Sequence, residues 1–278
     1  MKYIKSFLLV LLFTSCVTTP NLQFALVGDA GRWNTNTQIL KESLKSYKTF
    51  DLVMPGDNLY EGTYAKAWNP WISDGFKFPV VALGNHNETY QKEIAFFNMP
   101  GEYFSKKFTD GQLQYMVLNS DNTKNISEQM AWLENELMVS VAKQIYLVYH
   151  HPSRTVASHT WDEKKAFHEK LVPIVNKYRS KITALIIGHD HIAGLIHFNN
   201  LPVIISGSTQ NPRTERPVNN VQDGITVRTD LHYDSEPYWV QQIVNNNNSD
   251  FVFIRAKDNK VMCKANIVTS QEATYDCK

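Results

Sequence analysis

The 278-residue sequence carries almost no net charge: 28 Lys and Arg stand against 27 Asp and Glu, a formal +1. A basic surplus of the kind that holds polyanions is therefore missing, and no nucleic-acid partner is expected. Cysteine is scarce as well, with only Cys16, Cys263 and Cys277 present, so a cross-linked scaffold cannot carry the fold. No internal repeat is found, which excludes solenoids and propellers. What is present is apolar mass: 43% hydrophobic and 12% aromatic side chains suffice for one large core, and residues 17–278 are expected to form a single domain.

The start of the chain has a separate character. Lys2 and Lys5 precede an apolar run over residues 7–13 that is far too short to cross a bilayer. Residues 1–16 read as a secretory signal. The stretch Phe13-Thr14-Ser15-Cys16 resembles a bacterial lipobox, with Phe13 where Leu is usual. The implied outcome is an exported lipoprotein, periplasmic, outer-membrane-anchored or secreted, with Cys16 acylated and serving as membrane anchor. An ordinary cleavable signal is the alternative. Export would leave Cys263 and Cys277 as an isolated pair in an oxidising compartment, and a disulfide between them is expected.

Short runs rich in Val, Ile, Leu and aromatics at 22–27, 52–54, 78–83, 115–118, 145–149 and 182–187 predict buried strands. Helical spacing lies between them at 38–47, at 128–138 with Asn125 placed to cap it, and at 164–178, where Pro173 predicts an interruption. This alternation predicts a layered α/β domain. Beyond His191 the pattern predicts two hairpins, one turning at Asn199-Asn200 and one at residues 257–260, with surface loops over 210–237 and 245–248.

Five polar clusters each follow an apolar run: GDAG at 28–31, GDNLY at 56–60, GNH at 84–86, YHH at 149–151 and GHDH at 188–191. Singly they are ordinary turn residues. Together, strand ends in an open α/β sheet converge on one crevice, and each of these ends carries a metal-binding type. Two ions about 3.5 to 4 Å apart need a shared carboxylate and further N or O donors. Asp29, Asp57, Asn85, His150, His189 and His191 are the candidates, while Gly28, Gly56, Gly84 and Gly188 are expected to allow sharp turns beside them.

In order and spacing these clusters resemble the calcineurin-like metallophosphoesterases, and within them the purple acid phosphatases of the tartrate-resistant type, which have GDxG and GDxxY as first and second blocks. The resemblance runs over residues 23–212. It implies a four-layer α/β/β/α sandwich with mixed sheets and a pair of metal ions, Fe(III) with a divalent Fe, Zn or Mn. Asp29, Tyr60 and His191 would hold one ion, Asn85, His150 and His189 the other, and Asp57 would bridge. Tyr60 as phenolate would give an iron-loaded protein its colour.

The implied chemistry is hydrolysis of a small phosphate monoester by in-line attack of a metal-bound hydroxide, with His86 protonating the leaving oxygen. Asn87 stands where relatives carry an acid that supports this histidine. His159, His151 and Arg213 are candidate substrate contacts. A phosphodiesterase or nucleotidase on the same site is the alternative, for which Trp33, Trp68, Trp71 and Tyr90 could stack a base. A surface binding lipoprotein without turnover is the alternative of another class.

Overall fold

The computed structural model describes residues 22–277 apart from 123, 156, 158, 160–161, 215–219 and 223–224. The leader and Cys16 lie outside the described residues. Strands β1 (Leu22–Leu26), β2 (Asp51–Met54) and β3 (Lys77–Val81) run parallel, with helices α1 (Thr35–Ser46) and α2 (Tyr64–Ile72) as their crossovers. After α3 (Tyr90–Phe97) the chain enters a second sheet. There β4 (Phe104–Phe108) pairs antiparallel with β5 (Leu113–Val117), and β5, β6 (Gln144–Tyr149) and β7 (Ala184–Ile187) are parallel, crossing over through α4 (Ile126–Val139) and α5 (Lys165–Lys177).

The hairpin of β8 (Ala193–Phe198) and β9 (Leu201–Ser206) places β9 parallel to β7, and β10 (Asn220–Gln222) and β11 (Ile225–Tyr233) extend the far edge. The chain then returns to the first sheet with four antiparallel strands, β12 (Tyr238–Val244), β13 (Asn248–Arg255), β14 (Lys260–Val268) and β15 (Thr274–Cys277). The sheet orders are β15-β14-β13-β12-β1-β2-β3 and β10-β11-β8-β9-β7-β6-β5-β4. Both sheets are mixed, as the four-layer sandwich requires.

Period-two alternation sorts the core. Tyr115, Val117, Tyr146, Val148, Ala184 and Ile186 share one buried cluster with Phe24 and Phe251 of the first sheet. Their neighbours Met116, Ile145, Leu147, Leu185 and Ile187 share another with Leu133 and Leu137 of α4 and Phe167 and Leu171 of α5. Strands buried on both faces read as continuous apolar runs, which is why the sequence marks β6 and β7 so clearly. Across the inter-sheet seam the Tyr115 hydroxyl donates to Gln242 Oε1 at 2.7 Å.

Several expectations are corrected. Residues 210–237 are not all loop, because β10 and β11 lie within them. Pro173 does not interrupt α5, whose buried Phe167, Leu171 and Val175 hold the helix through it. Asn125 stands at the start of α4 but its side chain makes no capping bond. Trp68 and Trp71 are 0% exposed, buried by the helical spacing of α2, and neither can stack a base. Helix α4 spans 14 residues, and no helix among the described residues is long and apolar enough to cross a membrane.

Candidate metal centre and its cavity

The carboxyl ends of β1, β2, β3, β6 and β7 deliver the five clusters to one crevice. Asp29, Asp57 and His189 adopt φ of 56°, 56° and 69°. Left-handed backbone costs roughly 1–3 kcal/mol where nothing offsets it. Here Asp29 N donates to Gly56 O at 3.1 Å, Gly31 N to Asp57 O at 3.2 Å, and His189 N to Asp29 Oδ2 at 2.9 Å, locking the three loops together. Of the four glycines expected to turn sharply only Gly56 has positive φ, 96°. Gly84 serves clearance instead, since a Cβ there would collide with Asp57 Oδ1 and the Asp57 backbone.

Donor atoms gather at two points. At the first, Tyr60 OH lies 2.9 Å from Asp29 Oδ1, 2.9 Å from Asp57 Oδ2 and 3.2 Å from His191 Nε2. At the second, His150 Nε2 lies 3.1 Å from Asp57 Oδ1, 3.1 Å from Asn85 Oδ1 and 3.1 Å from His189 Nδ1. Asp57 thus turns one oxygen to each point.

Hydrogen bonds on the far side of each imidazole fix which nitrogen faces inward. A carbonyl only accepts, so His150 Nδ1 donates to Pro55 O at 2.9 Å and His191 Nδ1 donates to Asn211 O at 2.7 Å. Both rings therefore present Nε2 inward. His189 is set by a longer chain. Arg213 can only donate, and it does so to His159 Nε2 at 3.1 Å, so the His159 proton sits on Nδ1 and goes to Glu163 Oε1 at 3.2 Å. Glu163 Oε2 accepts from His189 Nε2 at 2.8 Å, which turns the His189 Nδ1 lone pair toward His150. Two imidazole lone pairs then face each other across 3.1 Å, and only a proton or a cation between them relieves the repulsion.

The electrostatics agree. Burial raises the Asp29 carboxyl well above the usual range, opposed by His150 and reinforced by Asp57. Burial acts the same way on Asp57, but the charge on His150 outweighs it and the carboxyl is lowered. His150 is pulled down by burial and carried up to about 9 by Asp57, whereas burial leaves His189 at about 3 and His191 at about 4. Without metal, Asp57 and the proton on His150 stabilise each other, while Asp29 is driven toward its neutral form.

Residues 12–193 match the family model for calcineurin-like phosphoesterases. The chain belongs to the calcineurin-like phosphoesterase family. A probable cyclic nucleotide phosphodiesterase of Vesicomyosocius okutanii subsp. Calyptogena okutanii (strain HA) is 28% identical over 137 residues, covering 47% of this chain and 56% of that relative. The chain therefore spans about half the length of the curated relative it matches. Among solved structures, GAP50, the anchor in the inner membrane complex of Plasmodium, is similar with a TM-score of 0.76 at 15% identity, over 91% of this chain and 90% of that one. Purple acid phosphatase PPD1 from yellow lupin (Lupinus luteus) seeds is similar with a TM-score of 0.64 at 12% identity, over 92% and 53%. At these identities the likeness is one of fold.

Calcineurin-like phosphoesterases are metal-dependent, and the donors present here fit metal ions. Adjacent ligands of an ion bound at about 2.0–2.1 Å lie roughly 3 Å apart, which is the spacing found at both points. Carboxylate, phenol, amide and imidazole together suit Fe, Zn or Mn. Asp29, Tyr60 and His191 could hold an ion at the first point and Asn85, His150 and His189 at the second, with Asp57 serving both.

A cavity of about 260 Å³ opens over this centre, lined by Arg32, Tyr60, His86, His159, Gln210 and Arg213 among others. His86 stacks on Tyr60, ring centroids 4.3 Å apart. The Asn87 amide turns back to Gly84 O at 2.8 Å. Of the proposed substrate contacts, His159 and Arg213 reach the cavity. His151 does not: it is buried, its Nδ1 2.9 Å from Ser120 Oγ, and the cavity lining omits it. Sequence reasoning passed over Arg32 and Glu163. The only signals available were the position directly after GDAG and the spacing of four from His159.

Proposed function

We propose that the chain is a phosphomonoesterase working with two metal ions, of the purple acid phosphatase type. The observation that supports this best is the commitment of three imidazole lone pairs, two carboxylates and the Tyr60 hydroxyl to two points joined by Asp57. When bound, two such ions neutralise phosphoryl charge and activate water for in-line attack. The remaining work falls to the chain. His86, exposed in the cavity beside the Asn85 donor, is placed to give a proton to the leaving oxygen. Arg213 stands at the rim, its guanidinium braced by His159 Nε2 at 3.1 Å. Tyr60 at the first point favours Fe(III) there, with a divalent ion at the second.

The test is hydrolysis of p-nitrophenyl phosphate against its bis-ester from acid to alkaline pH, using iron- and zinc-loaded protein. Monoester turnover peaking in acid and lost in Asp57→Asn is expected, together with a visible absorption band that Tyr60→Phe abolishes. Preferential diester turnover would instead favour the activity named for the curated relative. Metal-loaded protein idle on both esters would reject the phosphoesterase reading in favour of a binding role.

A further inference from the structure

We infer that the cavity contains a second anion subsite, built by Arg32 and Arg213, which selects phosphate compounds carrying a further phosphoryl or carboxylate group close to the one that is cleaved. The inference rests on the monoesterase reading above and adds its substrate class.

Arg32 follows the first cluster and Arg213 stands two residues after Asn211, whose carbonyl accepts from His191 Nδ1, so they are far apart in sequence. Two amides bring their loops together, Asn34 Nδ2 donating to Gln210 O at 2.9 Å and Asn36 Nδ2 to the same carbonyl at 3.2 Å. Arg213 N donates to His191 O at 3.0 Å, and Tyr60 N to Gly31 O at 2.8 Å, which anchors both arginines to the part of the centre formed by Tyr60 and His191.

Charge in the cavity is then unbalanced. Asp57 is the only carboxylate among the described residues lining it, and that group is committed to the metal points. Arg32 pairs with Glu61 at 3.2 Å, but the two side chains are 40% and 56% exposed, so the pair is weak and easily exchanged for a ligand. The Arg32 Nε is buried and has no hydrogen-bond partner. Arg213 directs one N–H to His159, which leaves the rest of its fork for an oxyanion. A single phosphoryl group held at the metal points would leave these guanidinium donors unused. A second anionic group would take them, and a cavity of about 260 Å³ requires that group to lie near the first.

The experiment uses the metal-loaded protein with three substrates, p-nitrophenyl phosphate, pyrophosphate and phosphoglycolate. Arg32→Gln is expected to lower kcat/KM for the two doubly anionic compounds ~10-fold more than for p-nitrophenyl phosphate, the range of a lost charge-assisted bond. Glu61→Gln, which releases the Arg32 guanidinium, should move the ratio the opposite way. A loss confined to pyrophosphate identifies the second group as phosphoryl, and one confined to phosphoglycolate as carboxylate. By calorimetry, wild-type protein should bind pyrophosphate more tightly than orthophosphate, and Arg32→Gln/Arg213→Gln should lose that preference. Equal losses on all three substrates, or equal affinity of wild type for the two inorganic anions, would overturn the subsite. Failure of the monoesterase reading looks different: wild type idle on p-nitrophenyl phosphate while still preferring pyrophosphate over orthophosphate in binding.

Discussion

Glu163 decides which nitrogen of His189 faces the metal points, although it touches neither of them. Its two oxygens accept from His159 Nδ1 at 3.2 Å and His189 Nε2 at 2.8 Å, and only a carboxylate can accept from both. In Glu163→Gln the amide oxygen can serve one ring, and the amide NH2 then meets an N–H of the other. Loss of such an outer partner typically weakens metal binding by about 10–100-fold. A chelator competition titration of Glu163→Gln should find a drop in this range, with the far-ultraviolet circular dichroism unchanged. Unaltered affinity would show that His189 holds its orientation without help. At this scale the sequence was legible where local spacing carries the role: Asp29, Asp57, Asn85, His150, His189 and His191 each follow an apolar run directly, and the structure brings all six together. Glu163 and Arg32 had no such mark, since a charged residue in a polar loop is usually solvated. His150 and His151 were distinguishable only by the family spacing to Pro152; it is the backbone leaving β6 that sends His150 inward and buries His151 against Ser120.

Among the elements, legibility followed burial on both faces. The runs of β6 and β7 stand out because every residue in them is buried. Strand β4 buries only Phe104 fully, and β12 carries Gln241 and Gln242, whose side chains bond Thr49, Tyr115 and Ser249 inside the sandwich. The adjacent pair Gln241-Gln242 breaks the apolar run of Tyr238–Val244 at its centre, which hides β12 in the sequence. The last strand, β15, is exposed along its whole length and pairs with β14 alone. Its anchor is the Cys263–Cys277 disulfide, which joins register partners 14 residues apart. In the chain-entropy argument a loop of that size contributes about 3 kcal/mol. Cys277→Ser is therefore expected to lower unfolding free energy by roughly that amount and to raise hydrogen exchange across Thr274–Cys277, while exchange in β6 and β7 follows only the global change. Protected amides in β15 of the variant would mean that the strand holds by pairing alone.

For the whole molecule, two buried groups outside the donor set bear on how stability responds to acid: His168 on α5, and Glu93, which is tied to the Asp57 loop through Asn58. Burial, aided by the charges of Arg154 and Lys164, lowers His168 to about 3. Burial raises Glu93 to about 7, against its bonds from Asn58 and Tyr64. Between about pH 3 and 6.5 the unfolded chain binds the His168 proton and the folded chain does not, so this group makes stability fall as pH falls. Between about 4.5 and 7 the folded chain binds the Glu93 proton and the unfolded chain does not, so Glu93 makes stability rise as pH falls. From pH 6.5 to 4.5 the two effects oppose each other at about 1.4 kcal/mol per pH unit each. Wild-type stability should then change little with pH on their account. Removing one partner exposes the other: His168→Gln should gain on wild type by roughly 2–3 kcal/mol as pH falls from 6.5 to 4.5, and Glu93→Gln should lose by a similar amount. Urea unfolding of the three proteins at pH 7.5, 6 and 4.5 reads this directly. A difference from wild type that stays constant with pH in both variants would remove these two groups from the acid response.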